Sequence, residues 1–178
     1  MRHNVLTFGL IAGAILSAMM LVTQMFADQI GFDKGAIIGY TTMVLAFLMV
    51  FFGVKSYRDN VAGGNVSFGR ALRVGLMITA VASVCYVATW ELVYYEIAPD
   101  FADKYAAYTM EKSKRSGASE AQVAAQARRM AEFKEMYKNP LVNVALTFLE
   151  PLPVGILFTL VTAGVLSRRR RPEAPVAV

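Results

Sequence analysis

Hydrophobic positions in this chain gather into four long blocks instead of recurring at the period of a soluble helix or strand. The blocks run from Val5 to about Ala27, from Ala36 to about Val54, from about Val74 to Tyr95 and from Leu146 to Ser167. An α-helix needs about 20 predominantly apolar residues to cross the hydrocarbon of a bilayer. The pattern therefore predicts an all-α fold, an integral membrane bundle of four transmembrane helices. A secretory signal peptide also starts with a basic stretch, as Arg2 and His3 do here, but its apolar core is about 7–15 residues long and ends in a small-x-small site. The first block is longer and closes on Met25-Phe26-Ala27, with a bulky side chain where a small one is needed. It reads as a retained span.

Polar segments divide the blocks. Asp28 to Gly35 is a short loop with little positive charge. Residues 55–73 form a loop holding Lys55, Arg58, Arg70 and Arg73, with a tight turn at Gly63-Gly64-Asn65. Ser67 is placed to N-cap the third helix. The only substantial polar region is 97–139. There Phe101, Tyr105 and Tyr108 share one helical face, Lys112 to Ala118 interrupt it, and Val123, Ala127, Met130, Phe133 and Tyr137 make a second stripe. Ser119 followed by Gln122 is a capping box. Glu111/Arg115 and Arg128/Glu132 are opposite charges four residues apart. The region reads as an external helical hairpin between the third and fourth spans, and Pro140 separates it from the fourth. Residues 1–171 then make a single membrane domain, and 172–178 a disordered tail.

Composition and charge sharpen this picture. The chain is 56% hydrophobic with a mean hydropathy of +0.46, and 17% of its residues are charged; soluble domains carry about 25%. A net charge of +5 would suit nucleic acid, but the basic residues cluster where spans end, so lipids and topology account for them and no nucleic-acid partner is expected. Arg2, the 55–73 loop and Arg168–Arg171 on one side put both termini in the cytoplasm and the hairpin outside. A single cysteine, Cys85, excludes an internal disulfide. With His3 the only histidine, there is no His-based metal site or Ser-His pair, and no phosphate-cradling loop occurs. No catalytic residue, metal or cofactor is expected.

Two features carry candidate chemistry. Gly9, Gly13 and Ser17, and again Ala71, Gly75, Thr79 and Ser83, repeat every fourth residue and form small-residue faces that permit close helix approach. Counting about 20 residues back from the cytoplasmic arginines places Glu150 a few residues inside the opposite boundary. Glu91, Gln24 and Tyr40 fall at a similar depth, each on a different span. Ionisable residues inside spans are functional candidates. Read plainly, this polar layer reaches for interfacial water and hydrogen-bonds the bundle together. Read functionally, Glu91 and Glu150 face each other; two nearby carboxylates cannot both ionise cheaply, so the pair would share a proton or hold a cation. Pro151 and Pro153 would leave carbonyls near Phe148 and Leu149 unpaired, or simply kink the helix. The cluster Trp90 to Tyr95 suits a headgroup anchor.

Gly53 to Leu76 (GVKSYRDNVAGGNVSFGRALRVGL) and Leu149 to Leu157 (LEPLPVGIL), followed by a basic tail, resemble a bacterial membrane family catalogued as domain of unknown function 4199. The resemblance covers essentially the whole chain and implies four spans in a bacterial inner membrane, with no activity to carry over. The residues themselves favour a non-enzymatic protein acting through association with itself or another membrane protein, by way of its small-residue faces and hairpin. The alternative is an oligomeric transporter of a small solute, proton or cation built on the carboxylate pair. A third reading is lipid-headgroup contact through Tyr57, Arg58, Arg70 and Arg73.

Overall fold

The structure, a computed structural model, describes residues 1–167; Arg168–Arg171 and the tail lie outside the described residues. Among those described, seven α-helices and no strands form. They are α1 (Arg2–Met25), α2 (Ala27–Asn60), α3 (Phe68–Leu92), α4 (Phe101–Arg115), α5 (Glu120–Tyr137), α6 (Pro140–Leu149) and α7 (Leu152–Leu166). Four helical stretches are long and apolar enough to cross a membrane: α1, α2, α3 with its extension to Ile97, and α6 with α7. This is the four-span all-α bundle that the four hydrophobic blocks require.

The departures from the sequence reading are local, and each has a cause. The loop expected at Asp28–Gly35 is helical on both sides of one break, at Gly31 (φ 73°, ψ 166°). That left-handed φ suits glycine, and the turn points Phe32 at α4, where its ring meets Phe101, Tyr105 and Tyr108 at 4.9–5.9 Å between centroids. The fourth span starts at Pro140, earlier than its hydrophobicity suggests, because Asn139 Oδ1 accepts from the Leu141 N–H and Pro140 fits the first turn. The same span is broken at Glu150-Pro151. Pro151 has no N–H to give to Thr147, so the Thr147 carbonyl takes the Glu150 N–H at 3.3 Å instead. Helix α3 ends in a π-helical turn, Val93–Ile97, closed by Ala98 N–H to the Val93 carbonyl at 2.7 Å.

Small residues set the helix packing. Gly9 lies against Val81 and Gly13 against Cys85, while Thr89 Oγ1 donates to Ser17 Oγ at 2.7 Å. The first small-residue face is thus the α1–α3 contact. The second meets α7: Gly75 faces Thr159, and Thr79 Oγ1 stands 3.4 Å from the Gly155 carbonyl and 3.3 Å from Thr159 Oγ1. Phe47, Met43, Val50, Val74 and Ile78 fill the centre. Both faces are therefore consumed inside the chain, and neither is presented to a partner. Outward positions carry large aliphatic side chains such as Leu45, Val84 and Leu157, as a lipid-facing surface requires.

Residues 101–137 form a helical hairpin. Its α5 start carries the capping box, with Ser119 Oγ accepting from the Gln122 N–H and Gln122 Oε1 from the Ser119 N–H. Lys134 on α5 is bonded to Asp103 on α4, and Phe133 packs on Tyr105. The Glu111–Arg115 pair forms; Arg128–Glu132 is not among the ion pairs of the described residues. The loop expected at 55–73 is shorter, since α2 runs on to Asn60 and α3 begins at Phe68; Gly63 and Gly64 turn the connection with φ of 67° and 87°. Ser67 occupies the α3 N-cap position, though its side chain makes no capping bond.

Candidate functional site

A cavity of about 630 Å³ lies beneath the hairpin, between the end of α1, the start of α2, the far end of α3 and α4. Its floor is reached by Leu16 and Thr42, both nearly inaccessible, and its mouth lies beside Asp33 and Lys112. A volume in this range is typical of small-molecule sites.

Three of the four residues placed in the polar layer meet here: Gln24, Tyr40 and Glu150 all line the cavity. Glu150 enters it from the α6–α7 break, and its Oε2 accepts a hydrogen bond from the Tyr86 hydroxyl at 2.8 Å. Glu91 does not line it. Tyr86 and Trp90, four residues apart, share the cavity-facing side of α3. Glu91 lies about 100° around the helix from Trp90 and about 140° from Tyr86. It is half-buried, between the exposed Leu92 and the buried Trp90. One of its oxygens, Oε1, is buried there with no hydrogen-bond partner among the described residues. The expected face-to-face carboxylate pair is not formed, because Glu91 lies off the side of α3 that lines the cavity with Glu150. Glu150 is paired with a tyrosine.

Aromatic rings make much of the wall. Trp90 stacks edge-on with Phe101 at 4.8 Å between centroids, and Phe101 runs parallel to Tyr105 at 6.1 Å. Trp90 is buried, so it serves the core instead of the headgroup layer; Tyr95, at 46% exposure, is the aromatic residue of that cluster left outside. Behind the wall is a polar network with no counterpart in the sequence reading. Trp90 Nε1 donates to Asn143 Oδ1 and to the Tyr137 hydroxyl, each at 3.1 Å, and Thr147 Oγ1 donates to Asn143 Oδ1 at 3.2 Å. Burial is the first cause pushing the Tyr137 hydroxyl above its ordinary pKa. The available signal was Asn143, a polar residue in the apolar helix α6.

At the mouth, charges are already matched. Lys112 bonds Asp33 and lies 5.5 Å from the centre of the Tyr108 ring. Lys104 reaches Asp100 at 3.0 Å and Asp28 at 4.0 Å. The hydrogen bond to Asp33, then that to Tyr108, raises the Lys112 pKa above its usual value; the hydrogen bond to Asp100 does the same for Lys104. No cluster of three or more metal-ligating side chains occurs among the described residues.

The model of one protein family matches residues 7–168, nearly the whole chain. The chain belongs to the family described as protein of unknown function DUF4199. No curated protein and no solved structure matches it. The DUF4199 membership covers the four spans, the hairpin and the cavity together.

The residues expected to touch lipid headgroups divide. Arg70 and Arg73 are exposed at the start of α3. Tyr57 and Arg58 are 8% and 9% exposed, and Arg58 Nε bonds Asp59 at 2.7 Å. Those two side chains belong to the bundle end, and a headgroup would find only the exposed arginines.

Proposed function

We propose that this protein is a small, non-enzymatic membrane protein that binds an amphipathic small molecule in the cavity beneath its hairpin. The observation that carries the reading is the convergence of Gln24, Tyr40 and the Tyr86–Glu150 pair on one aromatic-walled space of about 630 Å³. A few polar groups set in a mostly apolar wall are what such a site needs to orient a ligand. The arginine and lysine distribution supports a bacterial inner-membrane location with cytoplasmic termini, which puts the mouth on the outer side. Association through the small-residue faces loses its support, since both are packed within the chain. Transport through a carboxylate pair loses its support as well, since Glu150 has a tyrosine partner.

Trp90 is the only tryptophan and lines the cavity, so it reports occupancy directly. The test uses the neutral fluorophore N-phenyl-1-naphthylamine with protein in maltoside micelles, reading energy transfer from Trp90. Gly39 also lines the cavity, and a Cβ built there meets nothing within 4 Å. Gly39→Phe therefore fills the space without a backbone clash. Saturable transfer that Gly39→Phe abolishes supports the site. Transfer that rises linearly and equally in both proteins overturns it.

A further inference from the structure

The cavity wall contains four carboxylates, Asp28, Asp33, Asp100 and Glu150, against two ammonium groups, Lys104 and Lys112. Both lysines are spent at the mouth, where they bond the three aspartates. Glu150, exposed at the α6–α7 break, has no cationic partner among the described residues; the Tyr86 hydroxyl is its hydrogen-bond donor. The aromatic side chains Tyr40, Tyr86 and Trp90 line the same space, and its other uncharged polar side chains include Gln24. The indole N–H of Trp90 is turned away to Asn143 and Tyr137, which leaves its ring to the cavity side.

From this arrangement we infer that the cavity is selective for lipophilic organic cations, with the cationic centre held at Glu150 and the apolar groups against the aromatic wall. The inference rests on the ligand-binding reading above and names its ligand class. A carboxylate with a single neutral partner, set between apolar and aromatic walls within the span, attracts a cation more strongly than the same group free in water. Aromatic faces add their own attraction for ammonium and phosphonium centres, which shed water easily. A metal ion is poorly served, since one carboxylate and one hydroxyl fall short of the six or more oxygen ligands that hard divalent cations take. An anion would meet the Glu150 carboxylate, with both cavity ammonium groups already bonded to aspartates. The lysines at the mouth, already neutralised, neither repel the cation nor hold an anion.

The experiment displaces N-phenyl-1-naphthylamine with two ions of one shape and opposite charge, tetraphenylphosphonium and tetraphenylborate, in uncharged maltoside micelles. Tetraphenylphosphonium is expected to displace the fluorophore at a concentration at least about tenfold lower, equivalent to about 1.4 kcal/mol. Glu150→Gln is expected to erase that preference while the neutral fluorophore still binds, and Glu150→Asp to keep part of it. Equal displacement by the two ions in the unaltered protein overturns the cation assignment and leaves ligand binding standing; it needs no variant to fold. A preference that survives in Glu150→Gln overturns it too. Absence of saturable fluorophore binding removes the parent reading and this one together. An ammonium-bearing lipid headgroup shares the chemistry, so phosphatidylcholine is added as a third competitor. Displacement by it at the tetraphenylphosphonium level assigns the site to a lipid cation, and no displacement assigns it to a free one.

Discussion

Gly155 and Gly164 lie on the same helix, and the structure gives them opposite sensitivities. An added Cβ at Gly155 would fall well inside contact distance of Thr79 Cγ2 and meet both Phe47 Cε1 and Thr79 Oγ1 at 3.0 Å. At Gly164 it would meet nothing within 4 Å. Thr79 cannot swing aside cheaply, because its χ1 is stiff and its hydroxyl is held between the Gly155 carbonyl and Thr159. Helices α3 and α7 must instead separate, at an overpacking cost of about 1–3 kcal/mol. Disturbing the Thr79 hydrogen bond adds roughly 0.6 kcal/mol, the average for interhelical bonds in membranes. Alanine's better helix propensity returns about 1 kcal/mol at either site. Gly155→Ala should therefore destabilise by about 0.6–2.6 kcal/mol, and Gly164→Ala should be neutral or stabilise by up to about 1 kcal/mol. Unfolding in mixed maltoside–dodecyl sulfate micelles, followed by Trp90 emission, measures both. Thr79→Ala removes the clashing methyl, so Gly155→Ala should cost about 1 kcal/mol less in that background. Equal effects at the two glycines, or additivity with Thr79→Ala to within about 0.3–0.5 kcal/mol, would refute the argument.

Two further outcomes are expected. Ser119→Ala, which deletes the capping box, should cost about 1 kcal/mol and speed amide exchange in the first turn of α5, leaving the α1–α3 contact unchanged; unaltered exchange at Gln122 would contradict it. The Lys112–Asp33 contact holds the Lys112 pKa above its free value of about 10.4, so its stabilisation is complete at neutral pH and is lost as the pH rises past that value and through the docked one. Spin labels on α2 and α4 should separate as the solution is taken from neutral to strongly alkaline pH, and Lys112→Met should reduce that change; an identical response in the variant counts against the link.

Level along the bundle was legible in the sequence, and azimuth was not. Counting residues put Gln24, Tyr40 and Glu150 at one level, and they do share one space. The same count gave Glu91 its level but could not show that it lies a quarter turn and more from the side of α3 that Tyr86 and Trp90 present. The small-residue faces were legible as faces, yet Gly13 or Gly75 in a sequence says only that something approaches closely. That the neighbours are Cys85 and Thr159 of the same chain depends on the arrangement of all four spans. The break in α2 at Gly31 was hidden because its cause, the packing of Phe32 on α4, joins segments far apart in sequence.

The division of the fourth span at Glu150-Pro151 bears on how the protein is made. Helix α6, with 10 residues, and α7, with 15, are about 15 and 22 Å long, each short of the roughly 30 Å hydrocarbon. Neither can enter the bilayer as a span alone, so the two must go in together with the carboxylate at their junction. Synthesis runs from the N-terminus, and α3 precedes the hairpin. Tyr86 and Trp90 are therefore in the membrane before Asn143 and Glu150 leave the ribosome. The partners that receive the polar groups of the last span are waiting when it arrives, and the most costly insertion step comes when its hydrogen bonds can form at once.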